Sequence, residues 1–118
     1  MTLGRLIVYT RKPEEMVAFY TSHFGYTALR DPADRIVELR APEGPALLLH
    51  PAGKAQKMGQ VLVKLVFDTP DVPARRAALM AAGVEVGPVL DGGGYAFANL
   101  KDPSGNSVQI SGRAFRRH

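Results

Sequence analysis

The hydrophobic pattern changes period along the chain, and the changes mark its elements. Leu6–Thr10 (LIVYT) is strand-like. The next segment, RKPEEMVAFYTSHFG, places Met16, Val17, Phe19, Tyr20 and Phe24 at helical spacing. Pro13 suits the first helical position, Glu14 and Glu15 complement the N-terminal dipole, and Gly25 supplies the stop. Three short strands are predicted next, at Tyr26–Leu29, Ile36–Leu39 and Ala46–His50. The turn signals DPAD and APEGP separate them. The segment AGKAQKMG has no clear period and reads as a linker or mobile loop.

The order then begins again. VLVKLVFD is strand-like, and PDVPARRAALMAAG is helical, with Val72, Leu79 and Met80 among its apolar positions and Gly83 as its stop. Val84–Val86, Tyr95–Leu100 and Ser107–Ser111 are three further predicted strands, with GPVLDGGG and KDPSGN as turns. Each half therefore reads strand, helix, three strands, and the two stop glycines lie about half the chain apart. One βαβββ unit buries its helix and sheet face poorly by itself. The expected fold is α+β, with two βαβββ repeats forming a curved, partly closed mixed sheet around a cavity. A ferredoxin-like βαββαβ sandwich would use two strands between the helices where this chain offers three.

Composition narrows the function without naming it. A chain of 118 residues with 46% hydrophobic and 22% charged residues is of single-domain size and ordinary globular make-up. The expected organisation is repeat one at about 5–51, a linker at about 52–59, repeat two at about 60–112 and a basic tail at 113–118. The sequence contains no cysteine, which excludes disulfides, thiolate metal sites and cysteine nucleophiles, and suits a reducing cytoplasm. The start MTLGRLIVYT does not resemble a signal peptide, and the apolar runs are too short to span a membrane. The net charge of +4 draws on Arg113, Arg116 and Arg117 in the terminal GRAFRRH, read as a frayed basic tail. No basic helix or aromatic-interleaved pattern points to nucleic acid.

Two stretches carry a family resemblance. FYTSHFGY, at the end of the first helix, and NLKDPSGNSVQI, around the last strand, resemble the vicinal oxygen chelate superfamily. That group includes glyoxalase I, bleomycin-resistance proteins, fosfomycin-resistance enzymes and extradiol dioxygenases. Within KDPSGN, Asp102 reads as a turn residue rather than a catalytic acid. The resemblance implies up to four metal ligands, on the first and last strands of each repeat. It puts Arg5, His50, Leu62 and Gln109 at those positions. Arginine has no lone pair to give a metal, and leucine cannot coordinate. His50 and Gln109 alone fall short of the usual three or four zinc ligands. A register shift of two residues would put Gln60 in place of Leu62.

Strand alternation extends the candidate site. Arg5, Ile7 and Tyr9 share the cavity face of the first strand; Leu62, Lys64 and Val66 share that of the matching strand. Leu48 lies with His50, and Ser107 and Ser111 lie with Gln109. The parity implied by the resemblance adds Tyr95, Phe97 and Asn99. The expected ligand-binding set is Arg5, Ile7, Tyr9, Leu48, His50, Leu62, Lys64, Phe97, Asn99 and Gln109, with His50 the candidate acid or base. Lys64 could instead pair with Glu38, Glu85 or Asp91. His23 reads as a structural residue at a helix end, and His118 as a terminal one. GGG at 92–94 reads as a flexible hairpin or pocket-edge loop.

The leading expectation is a cytoplasmic, homodimeric small-molecule binding protein. It has a degraded metal site and needs no cofactor, and its ligand is anionic or carbonyl-bearing. Nucleic acid and membrane are not expected partners. The alternative is a metal-dependent glyoxalase-like lyase or dioxygenase holding one divalent metal through His50 and Gln109. A metal-free enzyme, with His50 as base and Arg5 or Lys64 facing an oxyanion, is the third possibility.

Overall fold

A proline sits in the first turn of each helix, and a glycine follows each end. Pro13 opens α1 (Pro13–His23), with Glu14 and Glu15 in its first turn. The second helix, α2 (Val72–Ala81), has a true cap: Asp71 accepts a hydrogen bond from the Ala74 amide at 3.0 Å. At its far end the Gly83 amide donates to Met80 O and the Val84 amide to Leu79 O, a Schellman closure. Gly83 sits at φ +89°, a conformation that other residues adopt only under strain.

The computed structural model describes residues 3–58 and 63–116. The chain forms two units, Met1–Met58 and Gly59–His118. In the first, β1 (Arg5–Thr10), β2 (Thr27–Leu29), β3 (Val37–Arg40) and β4 (Ala46–Pro51) form an open sheet of order β1-β4-β3-β2. In the second, β5 (Lys64–Asp68), β6 (Leu90–Asp91), β7 (Ala96–Lys101) and β8 (Ser107–Ser111) repeat that order as β5-β8-β7-β6. The first and last strands of each unit run parallel and the other pairs antiparallel. The fold is α+β, with two βαβββ units and two mixed sheets.

Each helix covers one face of its sheet. Met16, Phe19 and Tyr20 of α1 are buried together with Val8, Leu39, Leu47 and Leu49 of the first sheet. Val72 and Leu79 of α2 are buried with Ala98, Leu100, Val108 and Ile110 of the second. Each large apolar side chain buried in this way contributes about 1.5–3 kcal/mol. Met80 points outward, 46% exposed, although the sequence counts it among the apolar helix positions. It follows buried Leu79 by a single residue, which turns it away from the sheet.

One expectation is corrected. The sixth strand is Leu90–Asp91, inside the predicted turn, while predicted Val84–Val86 is reduced to one bridge between Val86 and Leu100. Pro88 has no N–H to give a ladder, so pairing along this edge is interrupted and resumes at Leu90. Beyond β4, residues 52–58 carry no helix or strand, and Arg11 holds them. Arg11 Nη2 lies 3.1, 3.2 and 2.8 Å from the carbonyl oxygens of Gly53, Lys54 and Gln56. Of VLVKLVFD, the strand spans Lys64–Asp68, and Val61 and Leu62 lie outside the described residues.

The two turn signals behave as their chemistry suggests. In DPAD, Asp31 and Asp34 accept from the amides of Ala33 and Ile36, each at 2.9 Å. In KDPSGN, Asp102 Oδ1 accepts from the Ser104 and Asn106 amides, both at 2.9 Å, and Oδ2 from Asn106 Nδ2 at 2.8 Å. With its side chain used this way and only 4% of the residue exposed, Asp102 holds the turn.

Candidate functional site

The helix-free faces of the two sheets carry the candidate residues. On the first sheet the register sets Ile7 beside Leu48 and Tyr9 beside His50, with Arg5 on the same face of β1. Ile7 is 53% and Tyr9 41% exposed, whereas Val8 and Thr10, which alternate with them, are buried. The face therefore presents large apolar groups without a covering helix. The Tyr9 and His50 ring centroids lie 5.1 Å apart.

His50 is oriented by its neighbour. Its Nδ1 lies 2.8 Å from the Pro51 carbonyl oxygen, which can only accept. Nδ1 is therefore the donor, which in a neutral imidazole leaves the lone pair on Nε2. Arg5 Nε lies 3.8 Å from Glu38 Oε1, and Arg40 Nε donates to Glu38 Oε2. Glu38 thus faces two guanidinium groups.

On the second sheet three polar side chains meet. Lys64 Nζ donates to Asn99 Oδ1 at 3.0 Å, and Gln109 Nε2 donates to the same oxygen at 3.0 Å. Lysine can only donate, so the atom it meets must be the amide oxygen, which in turn fixes the Gln109 amide as the second donor. Both lone pairs of Asn99 Oδ1 are then occupied. The group is left with N–H donors on Lys64, Asn99 and Gln109, against a single spare acceptor, Gln109 Oε1. This donor surplus suits an anion or a carbonyl oxygen. Val66, paired with Gln109 and 52% exposed, adds an apolar flank, and Phe97 lies two residues from Asn99 on the same face of β7.

This arrangement differs from the ion pair offered as an alternative for Lys64. Its partner is the neutral Asn99, and among the described residues it makes no ion pair with Glu38, Glu85 or Asp91. Strand geometry is the reason: β5 lies beside β8, so Lys64 reaches across that strand to β7. Leu62, and Gln60 that a register shift would substitute for it, lie outside the described residues.

Sequence reasoning missed a second cationic group on this unit. The segment read as a frayed tail forms a 3-10 turn at Arg113–Phe115. Arg113 Nη1 donates to the Tyr95 hydroxyl at 3.2 Å, and the Arg113 and Arg116 guanidinium carbons lie 5.4 and 5.9 Å from the Tyr95 ring centroid. The signal available was two arginines three residues apart directly after the last strand. Separately, a groove of about 750 Å³ runs past Met80, Gly87 and Leu100. Its charged lining residues are Glu85, Lys101 and Asp102, so it lacks the cationic character of the open face.

The family profile described as the Glyoxalase/Bleomycin resistance protein/Dioxygenase superfamily matches residues 2–110. The chain belongs to that superfamily. No curated protein sequence matches it. Among solved structures, it is similar to an antibiotic binding protein from Streptomyces sp. CB03234, at 22% identity and TM-score 0.77, with 93% of each chain covered. It is also similar to a lactoylglutathione lyase from Agrobacterium tumefaciens, at 20% identity and TM-score 0.72, covering 93% of this chain and 92% of that one. A third, a glyoxalase/bleomycin resistance protein from Streptomyces sp. CB03234, shares 23% identity at TM-score 0.70, covering 92% and 98%. At these identities the likeness concerns the fold.

Members of the superfamily often hold a metal, so the donors present matter. Among the described residues no group of three or more His, Cys, Asp or Glu could hold a metal ion. At the positions that the resemblance assigns to ligands, the described donors are His50 Nε2 and Gln109 Oε1. Both are neutral, and two fall short of the usual three protein ligands. Among the described residues no helix is long and apolar enough to cross a membrane.

Proposed function

We propose that this superfamily member is a small-molecule binding protein that works without a resident metal. Its ligand carries an anionic or carbonyl group on an apolar or aromatic body. The observation that carries this proposal is the donor surplus of Lys64, Asn99 and Gln109 beside exposed Val66. Ile7, Tyr9, Leu48 and His50 of the first unit, with Arg5 at their edge, and Phe97 of the second are proposed as further ligand-binding residues. An antibiotic binding protein among the structural neighbours lends the proposal support.

Native mass spectrometry of gently purified protein tests it, with Lys64→Met and Asn99→Ala in parallel and calorimetry against aromatic carboxylates. The expected result is a retained or titratable ligand with a carboxylate or carbonyl, weakened at least about tenfold by either substitution. Binding indifferent to both substitutions would sink the proposal. The same proposal includes a homodimer. A monomeric mass by light scattering at micromolar concentration would refute that part.

One observation favours a second possibility. His50 is held by Pro51 with Nε2 free, as a base or a metal ligand requires. A lyase or dioxygenase using one divalent metal through His50 and Gln109 would show stoichiometric Zn²⁺, Ni²⁺, Mn²⁺ or Fe²⁺ that is lost on His50→Ala. A metal-free enzyme would turn over substrate in chelator and stop on the same substitution, with Arg5 or Lys64 facing the developing oxyanion.

A further inference from the structure

Among the described residues no arginine of the second unit makes an ion pair, and two of them, Arg113 and Arg116, share one aromatic neighbour. Both guanidinium groups lie against one ring, Tyr95, at 5.4 and 5.9 Å. Among the described residues the three ion pairs are Arg5–Glu38, Arg30–Glu14 and Arg40–Glu38, so neither Arg113 nor Arg116 has a carboxylate within reach. Arg113 commits one N–H to Tyr95, and the Arg116 guanidinium has no acceptor among the described residues. Two like charges on one ring repel each other unless an anion joins them.

The surrounding backbone holds this arrangement in place. The Gly112 amide donates to Ala96 O at 2.9 Å, the Arg113 amide to Ser111 Oγ at 3.1 Å, and the Phe115 amide to Gly112 O at 2.9 Å. Tyr95 is seated from the other side. The Gly92 amide donates to Tyr95 O at 2.8 Å, and a Cβ at Gly92 would run into the ring. Because Arg113 donates to the Tyr95 oxygen, the hydroxyl proton is free to be given to something else.

We propose that Arg113, Arg116 and the Tyr95 hydroxyl form an oxyanion-binding site, best matched by a phosphate group. The planar guanidinium forks suit bidentate oxyanions, and a pair of cations with a hydroxyl donor favours a dianion over a carboxylate. Tyr95 lies just before β7 and Asn99 four residues further along the chain, up to roughly 13 Å when extended, so this site is distinct from the Lys64–Asn99–Gln109 group. It goes beyond the function proposed above and does not depend on it.

The test is a titration of the ¹⁵N-labelled full chain with sodium phosphate at constant ionic strength, following amide and arginine Nε–Hε resonances. Saturable shifts are expected at residues 92–95 and 113–116, with acetate at least about tenfold weaker. Arg113→Gln and Arg116→Gln should each weaken phosphate several-fold and the double variant abolish saturation, whereas Arg35→Gln, an exposed arginine of the first unit, should not. If Arg113→Gln loses the native amide spectrum, Arg113→Lys, which keeps the charge without the fork, is expected to show the same weakening. Shifts that do not saturate, that chloride reproduces, or that survive the double substitution would overturn the site and leave the arginines as a staple for the terminal turn.

Discussion

Lys64 and Gln109 hydrogen-bond to the same atom, Asn99 Oδ1, each at 3.0 Å. The amide oxygen is thereby saturated from two strands, and what faces outward is a set of donors. Replacing Asn99 with Asp keeps the shape and the acceptor but supplies a full negative charge beside Lys64. Asn99→Asp is therefore expected to raise the melting temperature slightly and to weaken an anionic ligand at least about tenfold. Thermal denaturation and calorimetry on the same samples would show the two effects moving in opposite directions.

Asp102 makes three side-chain hydrogen bonds inside its own turn while almost fully buried. Asp102→Ala leaves those donors without a partner and is expected to cost about 2–4 kcal/mol. Asp102→Asn keeps one acceptor but sets an amide against Asn106 Nδ2, and should cost about half as much. Urea midpoints at constant slope would check both values.

Arg11 gathers the carbonyls of Gly53, Lys54 and Gln56. Without that guanidinium the segment loses its side-chain tie to the residue that follows β1. Arg11→Ala is expected to speed amide exchange at residues 53–58 by about three- to tenfold, with β1 and β4 unchanged. Hydrogen-exchange mass spectrometry reads this directly, and uniform acceleration through the first unit would contradict it.

Glu14 and Arg30 form a two-point pair at 3.0 and 2.8 Å that ties the first turn of α1 to the residue after β2. The hydrogen bonds from Arg30 lead in holding the Glu14 carboxyl below its ordinary value of 4.5. A depressed folded-state pKa stabilises above the unfolded value and is lost as pH falls through the folded one. Arg30→Gln should therefore lose a small increment of stability near neutrality and none at acid pH below the folded-state value, so its profile falls less steeply below about pH 5. An acid limb as steep as that of the unchanged protein would count against the pair.

Gly83 closes α2 at φ +89° with open space where a Cβ would sit. The penalty of Gly83→Ala is thus conformational rather than steric, about 1–2 kcal/mol. Chemical denaturation of that variant would test it, and a neutral result would mean that the turn relaxes.

The chain itself determined the repeat. Apolar spacing, prolines at the helix starts and glycines at their ends act within a few residues, so both βαβββ units and the parity of Arg5, Ile7 and Tyr9 were legible in it. The DPSGN turn was legible for the same reason, because Asp102 satisfies its neighbours. Edges were less legible: Pro88 shifted the sixth strand, since a missing N–H matters only once a partner strand is present. Tertiary structure alone decided what touches what across strands. It gave Lys64 a neutral partner on β7, tied a featureless loop to Arg11, and folded Arg113 and Arg116 onto Tyr95. Those contacts join residues far apart in the chain, and side-chain reach across a sheet depends on strand order and register, which no local pattern encodes.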